Sequence, residues 1–174
     1  MITSQQKAAV CTEKLHSILH LLRRRAMEGL EMHRGQLPVL EYIQRNPGCT
    51  QVEISQALLI TPSSIAQSTK RMQRDDILEK HIDEENQRCK RLYVTKKGEA
   101  LAAECRRRMD EVDENMFAVL SEEEVEQLII MLEKLLQNAA EQADISVEEM
   151  DFFAFIRLKH MFHQCEEGNT KHDK

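Results

Sequence analysis

The chain has 174 residues, enough for one substantial hydrophobic core, and only 4% of them are aromatic, with no Trp. With 31% charged residues, five Gly and three Pro, this composition favours helices packed through aliphatic side chains and argues against a β-sandwich. The net charge of −6 does not exclude nucleic-acid binding, because residues 60–97 carry nine basic and six acidic side chains while residues 98–174 carry eight and 19.

Two helices are predicted before residue 48. Residues 4–27 form the first, along which apolar residues recur at three- and four-residue spacing. This apolar stripe consists of Cys11, Leu15, Ile18, Leu19, Leu22 and Ala26. The second helix begins near Arg34 and ends at Asn46-Pro47-Gly48, with Pro38 in its first turn, where a missing N–H costs little.

Two short helices joined by a tight turn follow. Thr50-Gln51-Val52-Glu53 is a capping box that begins the first of them, and the apolar residues Val52, Ile54 and Leu58 are expected to point inward. Thr61 caps the second helix, Pro62 occupies its first position, and the helix runs through Arg74. Ile65, Thr69 and Met72 are expected to face the core.

The outer face of helix 61–74 has the chemistry that reading a DNA major groove requires. Small residues allow close approach, hydroxyls and amides can meet base edges, and cations can meet phosphates. The candidate contacts are Thr61, Ser63, Ser64, Gln67, Ser68, Lys70, Arg71 and Arg74. The alternative interpretation is an ordinary polar face in contact with solvent.

A two-stranded hairpin is predicted next, near residues 77–82 and 90–94, and it completes the layout of a winged helix-turn-helix. Arg88 in the connecting loop is well placed for a narrow minor groove, and Lys90 is a further candidate DNA contact. Thr95 then caps a long helix to about Leu120, and Ser121 begins another with a capping box. A further capping box at Ser146 predicts an extra C-terminal helix.

Several motifs occur in an order that resembles the MarR family of bacterial transcription regulators. They are Thr50-Gln51-Val52-Glu53, Thr61-Pro62-Ser63-Ser64, Asn86-Gln87-Arg88 and Val94-Thr95-Lys96-Lys97-Gly98. The resemblance covers about residues 8–140. Two positions depart from the family pattern: Asn86 stands where Asp is usual, and Asp76 where Gly is usual. Because Asp tolerates left-handed backbone better than most residues, the turn at Asp76 is expected to survive.

The resemblance implies a mainly α fold: a winged helix-turn-helix between long dimerisation helices, with an extra C-terminal helix in this chain. The expected organisation is an N-terminal dimerisation helix (1–34), the winged domain (35–97), C-terminal dimerisation helices (98–143) and an extension (144–174). The stripes on the long helices agree with pairing, since they exceed what one small core can cover.

The implied function is a dimeric, cytoplasmic, ligand-responsive repressor that binds a pseudo-palindromic double-stranded DNA operator. A small-molecule effector is expected between the dimer helices and the winged domain. The candidate pocket residues are His20, Arg23, Arg24 and Tyr42. The sequence contains no catalytic motif and no apolar run long enough for a signal peptide or a membrane span, so we expect neither an enzyme, nor a cofactor, nor a membrane protein.

Two alternatives stay open. A winged-helix module that binds proteins is favoured by the acidic loop Asp83-Glu84-Glu85. A redox- or metal-sensing member of the same family is the other, with Cys11 as the candidate redox residue, although its place on the apolar stripe favours a buried structural thiol. The five Cys form no CxxC pair, so neither disulfides nor a zinc finger are expected.

Overall fold

The computed structural model describes residues 2–32, 35–83 and 89–146. These residues form six helices and two strands in the order α1 (Ser4–Ala26), α2 (Gln36–Arg45), α3 (Gln51–Leu58), α4 (Pro62–Arg74), β1 (Leu78–Ile82), β2 (Lys90–Val94), α5 (Lys96–Phe117) and α6 (Glu122–Ala143). The mainly α, winged helix-turn-helix fold class is confirmed. Arg88 and the helix expected after Ser146 lie outside the described residues.

Five of the six described helices begin after a Thr or Ser whose side chain accepts a backbone N–H of the first turn, whereas α2 begins after Gly35 without such a bond. Thr50 Oγ1 accepts the Glu53 N–H at 3.3 Å, and the Thr50 N–H donates to Glu53 Oε2 at 2.6 Å. The bond from the Thr50 N–H to the carboxylate, together with a bond from the Thr50 side chain, holds the pKa of Glu53 below its ordinary value. Ser121 and Glu124 form the same box at the start of α6.

The wing is an antiparallel pair in which Leu78 lies opposite Val94 and Ile82 lies opposite Lys90. The segment before α3 adds a third, one-residue element that the sequence did not reveal. There the Leu92 N–H donates to the Cys49 carbonyl at 3.0 Å, and the Gly48 N–H donates to the Leu92 carbonyl at 2.9 Å. These two hydrogen bonds attach β2 of the wing to the residues that immediately precede α3.

The hydrophobic core lies inside the winged domain and joins α2, α3, α4, both strands and the first half of α5. Its fully buried side chains include Leu40, Ile43, Ile54, Leu58, Ile65, Met72, Ile77, Leu92 and Cys105. The expectation that Val52 points inward is wrong, because this side chain is 61% exposed. In a helix of eight residues, Ile54 and Leu58 alone define the buried side.

Helix α1 is fixed to α5 through polar contacts. Arg108 Nη1 donates to the carbonyls of Ala26 at 3.0 Å and Glu28 at 3.1 Å, and Arg23 Nη2 lies 2.8 Å from Asp113 Oδ1. Exposed ion pairs contribute little, whereas Arg108 satisfies carbonyls that the end of a helix leaves unpaired. The side chain that caps the C-terminal end of α1 therefore comes from α5, which is distant in the sequence.

The apolar stripes of α1 and α6 are exposed in the single chain. The exposed large side chains include Leu15, Ile18 and Leu22 on α1, and Ile129, Leu132, Leu135 and Leu136 on α6. None of the described helices combines the length and apolar content needed to cross a membrane.

Candidate nucleic-acid interface

The candidate interface is built around the N-terminus of α4. Thr61 Oγ1 accepts the Ser64 N–H at 3.3 Å, and Pro62 takes the first helical position, where no N–H is needed. The hydroxyls of Ser63 and Ser64 lie 3.1 Å and 2.8 Å from Thr61 Oγ1. This hydroxyl cluster gives the first turn a small, polar and exposed surface.

The rotation of α4 about its axis is fixed by its buried side. Ile65, Thr69 and Met72 are 0% exposed. Gln51 Nε2 on α3 donates to Thr69 Oγ1 at 2.5 Å, and that hydroxyl donates in turn to the Ile65 carbonyl at 2.8 Å. Because a buried hydroxyl without partners would be costly, the Gln51–Thr69 bond specifies one orientation of α4 against α3.

The opposite side of α4 carries most of the predicted DNA contacts. Ser63, Gln67, Lys70 and Arg74 follow one another at spacings of four, three and four residues, which places them along one line. Thr61, Ser63, Ser64, Gln67, Lys70, Arg71 and Arg74 are all exposed. The helix contains no acidic residue, so this face combines polar groups near its start with cations near its end.

Arg74 also lies 3.0 Å, through Nε, from Asp75 Oδ1. The arginine side chain in this pair is 72% exposed. A pair this open to solvent holds its partners weakly, and a phosphate can displace the carboxylate.

Ser68 is the exception among the predicted contacts, and its assignment to the outer face is wrong. Its Oγ is inaccessible to solvent and has no hydrogen-bond partner in the described part of the chain. Its carbonyl accepts a bond of 3.5 Å from Nε2 of the buried Gln36. Position 68 therefore faces α2, at the border of the core, and cannot reach a base from there.

We expect the substitution Ser68→Ala to raise the free energy of unfolding by about 1 kcal/mol. It removes a buried hydroxyl that has no partner and introduces the best helix former. Urea unfolding followed by circular dichroism measures the change, and Ser63→Ala, at an exposed position of the same helix, is the matched control. A loss of stability in Ser68→Ala would reveal a stabilising partner of the hydroxyl and contradict this assignment.

On the wing, Lys90 is exposed, and its contact with DNA stays a prediction. The neighbouring Arg91, which the sequence interpretation passed over, has a structural role: its Nε lies 2.7 Å from Asp83 Oδ2 and its Nη1 donates to the Gly48 carbonyl at 3.1 Å. Asp83 is thereby paired within the wing, which reduces the negative charge that the loop presents. Arg88 lies outside the described residues.

The predicted effector-pocket residues are spread over α1 and α2. Arg23 pairs with Asp113 of α5, and burial raises the pKa of Tyr42 on α2. A cavity of about 420 Å³ lies elsewhere, between the loop after α1 and the end of α4. Its lining consists of Leu30, Glu31, Met32, Arg74, Asp75, Asp76 and Lys97, and includes none of His20, Arg23, Arg24 and Tyr42. The effector pocket at these four residues stays a prediction.

The four described cysteines differ in burial: Cys11 is exposed, Cys89 is partly buried, and Cys49 and Cys105 are buried. Cys11 is exposed in the single chain, as are Leu15 and Ile18 of the apolar stripe on which it lies, so its burial stays a prediction tied to what covers that stripe. Cys49 is buried, and burial raises the pKa of its thiol to about 11. Since the thiolate is the reactive form, Cys49 is a poor nucleophile at neutral pH. Within the described ranges, no group of three or more His, Cys, Asp or Glu is arranged to hold a metal ion.

Comparison of the sequence with known proteins finds transcription regulators. A model of the MarR family matches residues 29–88. BilQ, an HTH-type transcriptional regulator of Clostridium symbiosum (strain WAL-14163), is 32% identical over 108 residues, which are 62% of this chain and 74% of that protein. The transcriptional regulator HosA of Escherichia coli is 26% identical over 108 residues, with 62% and 80% covered.

Comparisons of the structure find the same fold. YusO of Bacillus subtilis superposes with a TM-score of 0.70 at 19% identity, covering 78% of this chain and 98% of YusO. FabT of Streptococcus pneumoniae, solved in complex with DNA, gives a TM-score of 0.61 at 20% identity, with 80% and 99% covered. The family model, the identity with BilQ and the winged helix-turn-helix together show that this chain belongs to the MarR family of transcription regulators.

Proposed function

We propose that this transcription regulator is a homodimeric, sequence-specific DNA-binding repressor that leaves its operator when it binds a small molecule. The observation that carries the proposal is the exposed face of α4. It lies opposite the buried Ile65, Thr69 and Met72, contains no acidic residue and ends in cations. A helix with this distribution suits the major groove, with its first turns at the bases and its cations at the phosphates. FabT, of similar fold, was solved with DNA.

The wing supplies the second contact in this proposal. Lys90 is exposed at the start of β2, and the loop that precedes it contains Arg88. With α4 in the major groove, the wing lies near the adjacent minor groove, whose negative potential attracts guanidinium groups. We assign Arg88 to that groove and Lys90 to the phosphate backbone.

Dimerisation is supported by the exposed apolar faces of the long helices. Ile18 on α1 is 56% exposed and Leu135 on α6 is 64% exposed, each within a stripe of similar side chains. A chain that functions alone rarely leaves such contiguous stripes in water. Two-fold pairing through α1, α5 and α6 would put two copies of α4 on half-sites about one helical turn of DNA apart, so the operator is a pseudo-palindrome. We assign the protein to the cytoplasm.

The cavity at the end of α4 supports a ligand-dependent response. Lys97 Nζ lies 2.7 Å from Glu31 Oε2 and donates to the Asp75 carbonyl at 2.9 Å, so it joins the loop after α1 to the end of α4. A ligand in this cavity of about 420 Å³ competes with these bonds. It changes DNA binding to the extent that it binds one spacing of the two α4 helices better than the other.

The central test is the salt dependence of DNA binding. We expect the affinity for a duplex that contains the operator to fall steeply with salt, and Arg71→Ala to reduce the slope of log K against log [salt] by about 1, since one phosphate contact is lost. Fluorescence anisotropy between 50 and 200 mM salt, roughly the range over which such contacts are measured, gives the slope.

Arg107→Ala is the matched control. Arg107 lies on α5 and is paired with Glu104 at 2.8 Å and Glu111 at 3.2 Å, so its loss should leave the slope unchanged. An affinity that does not respond to salt, or an unchanged slope in both Arg71→Ala and Arg88→Ala, would favour a module that binds proteins. Footprinting upstream of the coding region, with and without candidate ligands, then tests for repression and an effector.

A further inference from the structure

The amide of Gln67 occupies the centre of the exposed face of α4. It lies four residues after Ser63 and three before Lys70, on the line opposite the buried side chains. Its side chain is exposed and takes no hydrogen bond from any residue that the structure describes. The hydroxyl of Ser63, by contrast, lies 3.1 Å from Thr61 Oγ1. Gln67 is therefore the residue on this line whose side chain can both donate and accept a hydrogen bond on the exposed side of the helix.

A glutamine amide is complementary to one base in the major groove. Adenine presents N7, an acceptor, beside the N6 amino group, a donor, and an amide answers both with its NH₂ and its carbonyl. Guanine presents two acceptors, N7 and O6, so the amide carbonyl would face an acceptor there. Lys70 and Arg74, which carry donors alone, cannot make the adenine pairing, and they lie further along the helix, toward the phosphates.

Ala66 adds an apolar group on one flank of this face, about 100° around the helix axis from Gln67. It is exposed although it is apolar, and it lies between polar neighbours on the same side of α4. In an A·T pair the thymine C5-methyl group lies in the major groove, next to the adenine edge, and a side-chain methyl group is a suitable contact for it. The Ala66–Gln67 pair thus matches both members of an A·T pair.

The position of the pair is rigid. Thr69, two residues later, is fully buried and is bonded both to Gln51 Nε2 at 2.5 Å and to the Ile65 carbonyl at 2.8 Å. Rotation of α4 would break the bond to Gln51 on α3, so Gln67 keeps one direction relative to the winged domain. A fixed direction is what converts a long amide side chain into a selective contact.

We propose that Gln67 determines the sequence specificity of this protein, reading the adenine of an A·T pair in each half-site, with Ala66 against the thymine methyl group. The inference rests on the proposed function, which places α4 in the major groove. It adds a base identity at a defined residue, which neither the fold nor the family membership supplies.

The test is in-vitro selection from a random duplex pool with the full-length protein, followed by anisotropy on the selected site. We expect one A·T pair per half-site whose replacement by G·C weakens wild-type binding roughly 5- to 150-fold. Gln67→Ala should lose this discrimination at that pair alone and keep the wild-type salt slope, because no phosphate contact is removed. Gln67→Arg should shift the preference at the same pair to guanine.

Base analogues test the two contacts without changing the protein. Replacing the adenine with 7-deazaadenine removes the N7 acceptor, and replacing the thymine with uracil removes the methyl group; each should weaken wild-type binding. The first change should have no effect on Gln67→Ala, which has no amide. Ser68→Ala, one residue away but turned inward, is the control and should select the wild-type motif.

The outcomes separate this inference from the proposed function. If wild type and Gln67→Ala select the same motif, Gln67 does not set the specificity, although the protein still binds DNA. Gln67 also does not read adenine if G·C binds as well as A·T at every base pair where wild type and Gln67→Ala differ in selection. If the wild type shows no salt-dependent binding to any duplex, both the proposed function and the assignment of Gln67 are wrong.

Discussion

Replacing Gly98 with alanine should lower the free energy of unfolding by about 1–3 kcal/mol. A Cβ atom at position 98 would run into the Ile77 carbonyl oxygen and lie only 2.8 Å from Val94 Cγ1. The backbone cannot easily move away, because the Thr95 N–H donates to the same Ile77 carbonyl at 3.1 Å and Thr95 Oγ1 donates to the Asp76 carbonyl at 2.7 Å. The start of α5 is therefore packed directly on the start of the wing.

The sign of this change is diagnostic. At an uncrowded position inside a helix, replacing glycine with alanine raises stability by about 1 kcal/mol, because the unfolded chain loses freedom and helix propensity improves. Crowding at Ile77 and Val94 should reverse that sign. Ala103→Gly, at an exposed position of α5, calibrates the propensity contribution and should cost about 1 kcal/mol. Urea unfolding measures the free energy of unfolding of the wild type, of Gly98→Ala and of Ala103→Gly. An increase for Gly98→Ala would contradict the close packing.

Features that depend on neighbouring residues could be predicted from the sequence. Thr50, Thr61 and Ser121 begin helices because each side chain bonds to a backbone N–H three residues later. Asp76 adopts φ of 59°, the left-handed conformation that the resemblance to the family pattern led us to expect at this position. The buried Ile65, Thr69 and Met72 follow from helical spacing, and so does the exposed line from Ser63 to Arg74.

Features set by distant residues could not be predicted. The pairing of Cys49 with Leu92 joins segments 43 residues apart, and Arg108 reaches the end of α1 across 82. Ser68, by contrast, lies three residues after the buried Ile65 and four before the buried Met72, so helical spacing alone would have placed it beside the buried side. In the candidate interface, periodicity thus gives both the centre and the border of the exposed face of α4.

The exposed stripe on α6 leads to the second large effect: Leu132→Glu should convert a dimer into a monomer. Leu132 is 48% exposed in the single chain and lies between Ile129 and Leu136 on one helix face. For the isolated chain the change is mild, since leucine and glutamate have similar helix propensities and surface substitutions usually stay within about 0.5 kcal/mol. In an apolar interface the same carboxylate would be buried without a partner, which is strongly unfavourable.

Light scattering should show the mass of one 20.3 kDa chain for Leu132→Glu and of two for the wild type. Operator affinity should fall roughly 100-fold or more, because binding of the second half-site is no longer intramolecular, while binding to a single half-site should persist. Lys134→Glu is the matched control: it introduces the same side chain two residues later, on about the opposite side of α6. If Leu132→Glu stays dimeric with full operator affinity, this face of α6 is not the dimer interface, and its exposed leucines must be covered by something other than a second copy.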